Sequence, residues 1–125
     1  FEYDAKLECW LLEDAIFARQ RSAHGCCEIF FHFAALPLVL EGLTVRTVCP
    51  SGPNLALLPT KEATASLSVS LERGWISHRY GVRVEAPIVR YSFLNSEVSG
   101  ASFVLVPFSG HADLDNARIS LHQVQ

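Results

Sequence analysis

Apolar and polar residues alternate with a period of two along much of this chain. The cleanest case is Ala65 to Leu71, where Leu67, Val69 and Leu71 fall on one side and Ser66, Ser68 and Ser70 on the other. That is the pattern of a strand with one buried face. Cys26 to Ala34 repeats it, with Cys27, Ile29, Phe31 and Phe33 on a core face and Glu28, Phe30 and His32 opposite. Thr44 to Cys49 sets Val45 and Thr47 against Arg46 and Val48, and Ala101 to Val106 is apolar almost throughout. Leu38–Glu41, Leu55–Leu58, Trp75–Tyr80, Val82–Val84, Ile88–Phe93 and Ala117–Val124 also read as strands. Turn residues separate them: the polar stretch 18–25, Gly42, Pro50 to Asn54, Pro59, Glu72-Arg73-Gly74, Gly81, Asn95 to Gly100, and Ser109 to Asn116. Residues 4–17 fit either a helical stripe (Leu7, Trp10, Leu11, Asp14, Ala15) or a strand from Lys6 to Ile16. The missing helix cap and the run of strand formers favour the strand. About ten short, closely spaced strands predict an all-β fold, an antiparallel β-sandwich, with residues 1–125 as a single domain.

Composition narrows the function classes. Half the residues are apolar and 18% are charged, which excludes a disordered chain. A chain of 125 residues buries roughly two-thirds of its unfolded surface, enough for one core without staples. No apolar run approaches the ~18 residues of a membrane span, and no charged-then-apolar leader opens the sequence. Ten basic residues against thirteen acidic ones leave a net charge of −3, and the basic residues are scattered, so no nucleic-acid surface is expected. The sequence has no Met and starts at Phe1, so it is expected to be a processed product or a piece of a longer protein. Cys9, Cys26, Cys27 and Cys49 show no metal-finger spacing. Cys26 and Cys27 point to opposite faces of a strand and do not bond each other. The four read as small buried hydrophobes, with a Cys9–Cys26 disulfide as the alternative.

Few residues offer chemistry. Arg73 to Gly81 is the densest polar-aromatic stretch: as a strand it puts Trp75, Ser77 and Arg79 on one face and Ile76, His78 and Tyr80 on the other. Flat rings stack on the CH faces of sugars and guanidinium forks pair with carboxylates, so Trp75, His78, Arg79 and Tyr80 are candidate contacts for an anionic sugar. An ordinary amphipathic strand with Trp75 in the core is the plain alternative. His32, on the polar face of its strand, is a fifth candidate. Asp14 is either a buried strand-end carboxylate or a turn residue. His111, Asp113, Asp115 and Asn116 share a loop, but it lacks the glycine and distal glutamate of a calcium loop. No hydrolase, zinc-protease, nucleotide-binding or dinucleotide fingerprint occurs, so no catalytic residue and no metal ligand are assigned.

The order of segments carries a resemblance. Trp10-Leu11-Leu12-Glu13-Asp14 is followed by His24 and Glu28-Ile29-Phe30-Phe31-His32-Phe33, then Leu55 to Pro59. Glu72-Arg73-Gly74-Trp75-Ile76-Ser77 with Tyr80-Gly81, Pro87 with Arg90-Tyr91, and Phe103 to Phe108 complete the series. Over roughly residues 7–108 this resembles the C-terminal β-sandwich region of the heparinase II/III-like polysaccharide lyases. The resemblance implies an N-terminal α/α toroid as partner and an acidic, uronate-containing polysaccharide as ligand. It also implies β-elimination by a Tyr or His base, with stabilisation of the resulting enolate. The family's base and structural zinc lie upstream of the matched region, so neither is carried onto any residue here. His32 matches a recurrent family histidine without a catalytic role. The resemblance therefore implies a non-catalytic, periplasmic or secreted module, inactive as a lyase alone, that supports the toroid and lines the sugar cleft. A free-standing carbohydrate-binding sandwich or a purely structural interaction domain is the alternative.

Overall fold

A computed structural model describes residues 1–15, 26–60, 67–94 and 100–109. They form nine strands and no helix: β1 (Glu2–Asp4), β2 (Cys9–Ala15), β3 (Cys26–His32), β4 (Leu38–Glu41), β5 (Thr44–Thr47), β6 (Pro53–Pro59), β7 (Ser68–Ile76), β8 (Val84–Leu94) and β9 (Gly100–Ser109). Six build one sheet in the order β1-β2-β9-β6-β5-β4, and three build a second in the order β3-β8-β7. Every pairing is antiparallel. The all-β, sandwich-like architecture expected from the alternation is therefore present. The polar stretch 18–25, the loop beyond Ser109 with His111 and Asp113, and the strand expected over 117–124 lie outside the described residues.

The core follows the pleat. Odd-numbered residues of the three-stranded sheet point inward: Phe33, Val89, Tyr91 and Phe93 are buried, with Cys27, Ile29, Phe31 and Val69 packed on them. Val45, Leu57, Ala101 and Phe103 meet them from the six-stranded sheet. The Phe103 ring lies 4.9 Å from Tyr91 and 5.0 Å from Phe31, so aromatic contacts join the two sheets at the centre of the core. β9 is apolar on both sides because both sides are covered. Ala101 and Phe103 enter the main core, while Val104, Val106 and Phe108 join Cys9 and Ala56 in a second buried cluster on the opposite face.

Several local expectations are corrected. Residues 5–8 are a turn, and the strand reading of 4–17 holds only from Cys9. Glu72-Arg73-Gly74 does not turn the chain but lies within β7, opposite Ile88, Pro87 and Ala86. Gly74 belongs there for space: a Cβ would collide with the Ile88 side chain. Trp75–Tyr80 is not a strand, because β7 ends at Ile76. Pro87, expected ahead of its strand, sits inside β8. Its carbonyl accepts from Phe33 N at 3.2 Å, just past the last His32–Ile88 pair. In an antiparallel ladder the N–H and C=O of one residue face the same neighbour, so the bond that proline cannot make is the reciprocal one to Phe33 O, and the β3 ladder ends there. All four cysteines are free: Cys9 is buried, Cys26 exposed, and no Cys9–Cys26 disulfide forms.

Two buried polar groups hold the fold at points where the ladders do not. Asn54 closes the β5–β6 connection. Its Oδ1 accepts from Thr47 Oγ1 (2.9 Å) and Cys49 N (2.8 Å), and its Nδ2 donates to Cys49 O (2.9 Å). Thr47 Oγ1 in turn accepts from Leu55 N at 2.9 Å. The Tyr91 hydroxyl donates to Leu43 O at 2.6 Å, tying the three-stranded sheet to the β4–β5 hairpin of the other.

Replacing Asn54 by Ala strands the part-buried Cys49 N–H and the buried Thr47 hydroxyl, and is expected to cost ~2–4 kcal/mol in denaturant unfolding; an unchanged midpoint would show that the network is dispensable. A second expectation concerns pH. Burial pushes the Tyr91 phenol above its ordinary value near 10, so the unfolded state loses that proton first. The stabilisation is complete below pH ~10 and is lost as pH rises further. Cys9, raised by burial and then by the Asp4 charge, acts in the same direction from about pH 9. Tyr91→Phe should cost ~1–2 kcal/mol at neutral pH through the orphaned Leu43 carbonyl, yet flatten the alkaline decline of thermal stability.

Candidate functional site

The hairpin that joins β7 to β8 brings the candidate residues together, although by a different route from the strand expected. After Ile76 the chain turns. Ser77 Oγ donates to Arg79 O at 2.7 Å, Val82 N donates to the same carbonyl at 3.2 Å, and Gly81 takes a φ of +77° that a side chain would strain. The returning strand then pairs Val84 with Ile76 and Glu85 with Trp75. This places Arg83 beside Trp75, its guanidinium 4.3 Å from the centre of the indole ring.

The hairpin end overhangs the core. Arg73, Trp75 and Glu85 carry the inward parity of Val69 and Val89, but here the inward face is open. Trp75 is 55% exposed, and Tyr80 is fully exposed. Trp75 is thus not a core residue. His78 and Arg79 are exposed in the turn. Between Arg73 and Glu85 the sequence has three arginines and one acidic residue, Glu85. Arg73 lies 3.4 Å from the Glu85 carboxylate, a contact open to water and of small energetic weight. Arg83 is the residue that sequence reasoning missed. Reading 75–80 as a strand placed it one element away, whereas Gly81 followed by renewed alternation was the available signal for a hairpin.

The stacked arginine has a specific chemical use. A guanidinium lying on an indole ring keeps its in-plane N–H donors free while its orientation is restrained. Carboxylate and sulfate oxygens match such a fork, the exposed Trp75 ring offers flat apolar surface beside it, and Tyr80 stands exposed in the turn of the same hairpin. The site can therefore bind an anion attached to a ring. It offers no arrangement of base and acid around a shared position.

His32 is not part of this site. It stands opposite Ile88, which stands opposite Glu72, so its even parity puts it on the outer face of the sheet. Arg90 is central on that face, but its charge is already engaged. It lies 3.1 Å from Glu72 and 3.7 Å from Glu28, with Nε donating to Ser70 Oγ at 3.3 Å. Asp14 is an exposed residue within β2, not a buried carboxylate. Among the described residues no three His, Cys, Asp or Glu side chains converge. No described helix is long and apolar enough to cross a membrane. No protein-family model matches the chain, and neither a curated protein nor a solved structure is significantly similar to it.

Proposed function

We propose that this chain is a non-catalytic carbohydrate-recognition module that binds acidic, uronate-containing polysaccharide at the end of the β7–β8 hairpin. The observation that carries the reading is Arg83 held over the exposed Trp75 ring, with Arg73 and Arg79 on the same hairpin. A uronate or sulfate group would dock on the guanidinium fork, and the sugar ring would lie against Trp75 or Tyr80. Such recognition suits the accessory β-sandwich of a heparinase II/III-like lyase, in which an N-terminal toroid performs the β-elimination and this module lines one wall of the cleft. The order of segments over residues 7–108 favours that setting. His32, on the other face, is left for a contact with the toroid, not with the sugar.

Titration of the 125-residue chain with heparan sulfate, hyaluronan and alginate oligosaccharides tests the reading. At least one should bind with an affinity that falls as salt rises. Trp75→Ala with Arg83→Ala should weaken that binding roughly 10–100-fold, as loss of a charged hydrogen bond and a stacking surface requires. His32→Ala should leave it unchanged. The ultraviolet absorbance of unsaturated uronate should stay flat. Equal binding by the double variant removes the hairpin from the site, no binding at all favours a purely structural domain, and rising absorbance overturns the non-catalytic assignment.

A further inference from the structure

A second feature lies apart from the hairpin. Where the end of β3 and the segment after it cross the start of β6, the two sheets leave a cavity of about 340 Å3 that opens on one side to solvent. Its apolar lining includes Phe31, Phe33, Leu36, Leu55 and Leu105. Thr47 and Asn54 also reach it, but their polar atoms are already paired. Thr47 Oγ1 and Asn54 Oδ1 are bonded to each other and to the backbone of Leu55 and Cys49, and Asn54 Nδ2 is bonded to Cys49 O. His32 also borders the space from the end of β3, so the cavity presents carbon, saturated polar groups and a single imidazole, one short of the two to four partners that would hold a water.

We infer that this cavity is a binding site for a small uncharged apolar molecule. Three physical points select that class. A water needs two to four polar partners to be held, and the Thr47–Asn54 pair has spent its own on the turn. A charged ligand would lose its hydration without a matching counter-charge, because no Asp, Glu, Lys or Arg side chain lines the cavity. The volume lies within the ~300–1,000 Å3 range of small-molecule pockets and is about twice that of the ~150 Å3 apolar cavity that admits benzene. A fused two-ring hydrocarbon or a short aliphatic chain fits that space. Leu36, 39% exposed, stands at the rim.

Naphthalene is the probe, followed by backbone and methyl NMR shifts of the full chain. Saturable shifts confined to Leu36, Leu55, Leu105 and their neighbours are expected, together with a rise in Tm as ligand increases. Naphthalene-1,5-disulfonate should produce none of these shifts. Leu36→Trp, which occupies the rim without entering the core, should weaken naphthalene binding at least tenfold while the chain stays folded. Leu55→Phe, which narrows the cavity from the opposite sheet, should do the same if the rim variant misfolds. The inference is overturned if naphthalene gives no saturable shift, if the shifts fall elsewhere, or if both folded variants bind as well as the parent. Heparan sulfate binding should be unaffected by Leu36→Trp, so failure here and failure at the hairpin are separate results.

Discussion

The contact on which the structure depends is that of Phe103 with Tyr91 and Phe31. β9 is the hub of the larger sheet, paired to β2 on one side and to β6 on the other. β8 is the centre of the smaller sheet, paired to β3 and β7. Phe103 from the one and Tyr91 from the other meet at 4.9 Å, with Phe31 completing the cluster. With Val45, Leu57 and Ala101 packed alongside, this aromatic contact joins the inward faces of the two sheets into one core. The Tyr91 hydroxyl adds direction to it: by donating to Leu43 O it sets the β4–β5 hairpin against the smaller sheet, which apolar packing alone would leave free to slide.

Function follows from where that packing stops. The smaller sheet is longer than the face available to cover it, so the inward side of β7 and β8 runs out of the core at Arg73, Trp75 and Glu85. Residue types change at the same point: Val69 gives way to Arg73 and Trp75 on one strand, and Val89 to Glu85 on the other. An overhang of this kind exposes an aromatic ring on a rigid ladder and lets an arginine stack on it, which restrains both without the cost of burying a charge. At the β3 side of the sandwich, the sheets diverge over a satisfied polar floor and leave the cavity instead.

Much of the architecture was legible in the alternation. The strand at 26–32, with Glu28, Phe30 and His32 outward, needs only the pleat. The antiparallel, all-β class follows from short segments punctuated by turn residues. Errors fell where one residue type serves two purposes. Gly74 looked like a turn, but it is a strand glycine cleared for Ile88. Pro87 looked like a strand boundary, but it sits inside β8 at the last pair of the β3 ladder, where its missing donor costs one terminal bond. Moving the turn from 72–74 to 77–81 is also what moved Arg83 next to Trp75.

The sequence by itself determined which face of each clear strand is apolar, that the strand over Ala101 to Val106 is apolar almost throughout, and that no familiar catalytic motif is present. Those are local properties, set by side-chain period and chemistry. Tertiary structure alone decided that β9 lies between β2 and β6, that β3 pairs with β8, and where each sheet outruns the other. Such pairings join residues far apart in the chain, and many strands of similar pattern could satisfy them. Only the summed packing of two whole faces selects one arrangement. That selection placed an arginine over a tryptophan at the hairpin and left an apolar cavity beside Leu36.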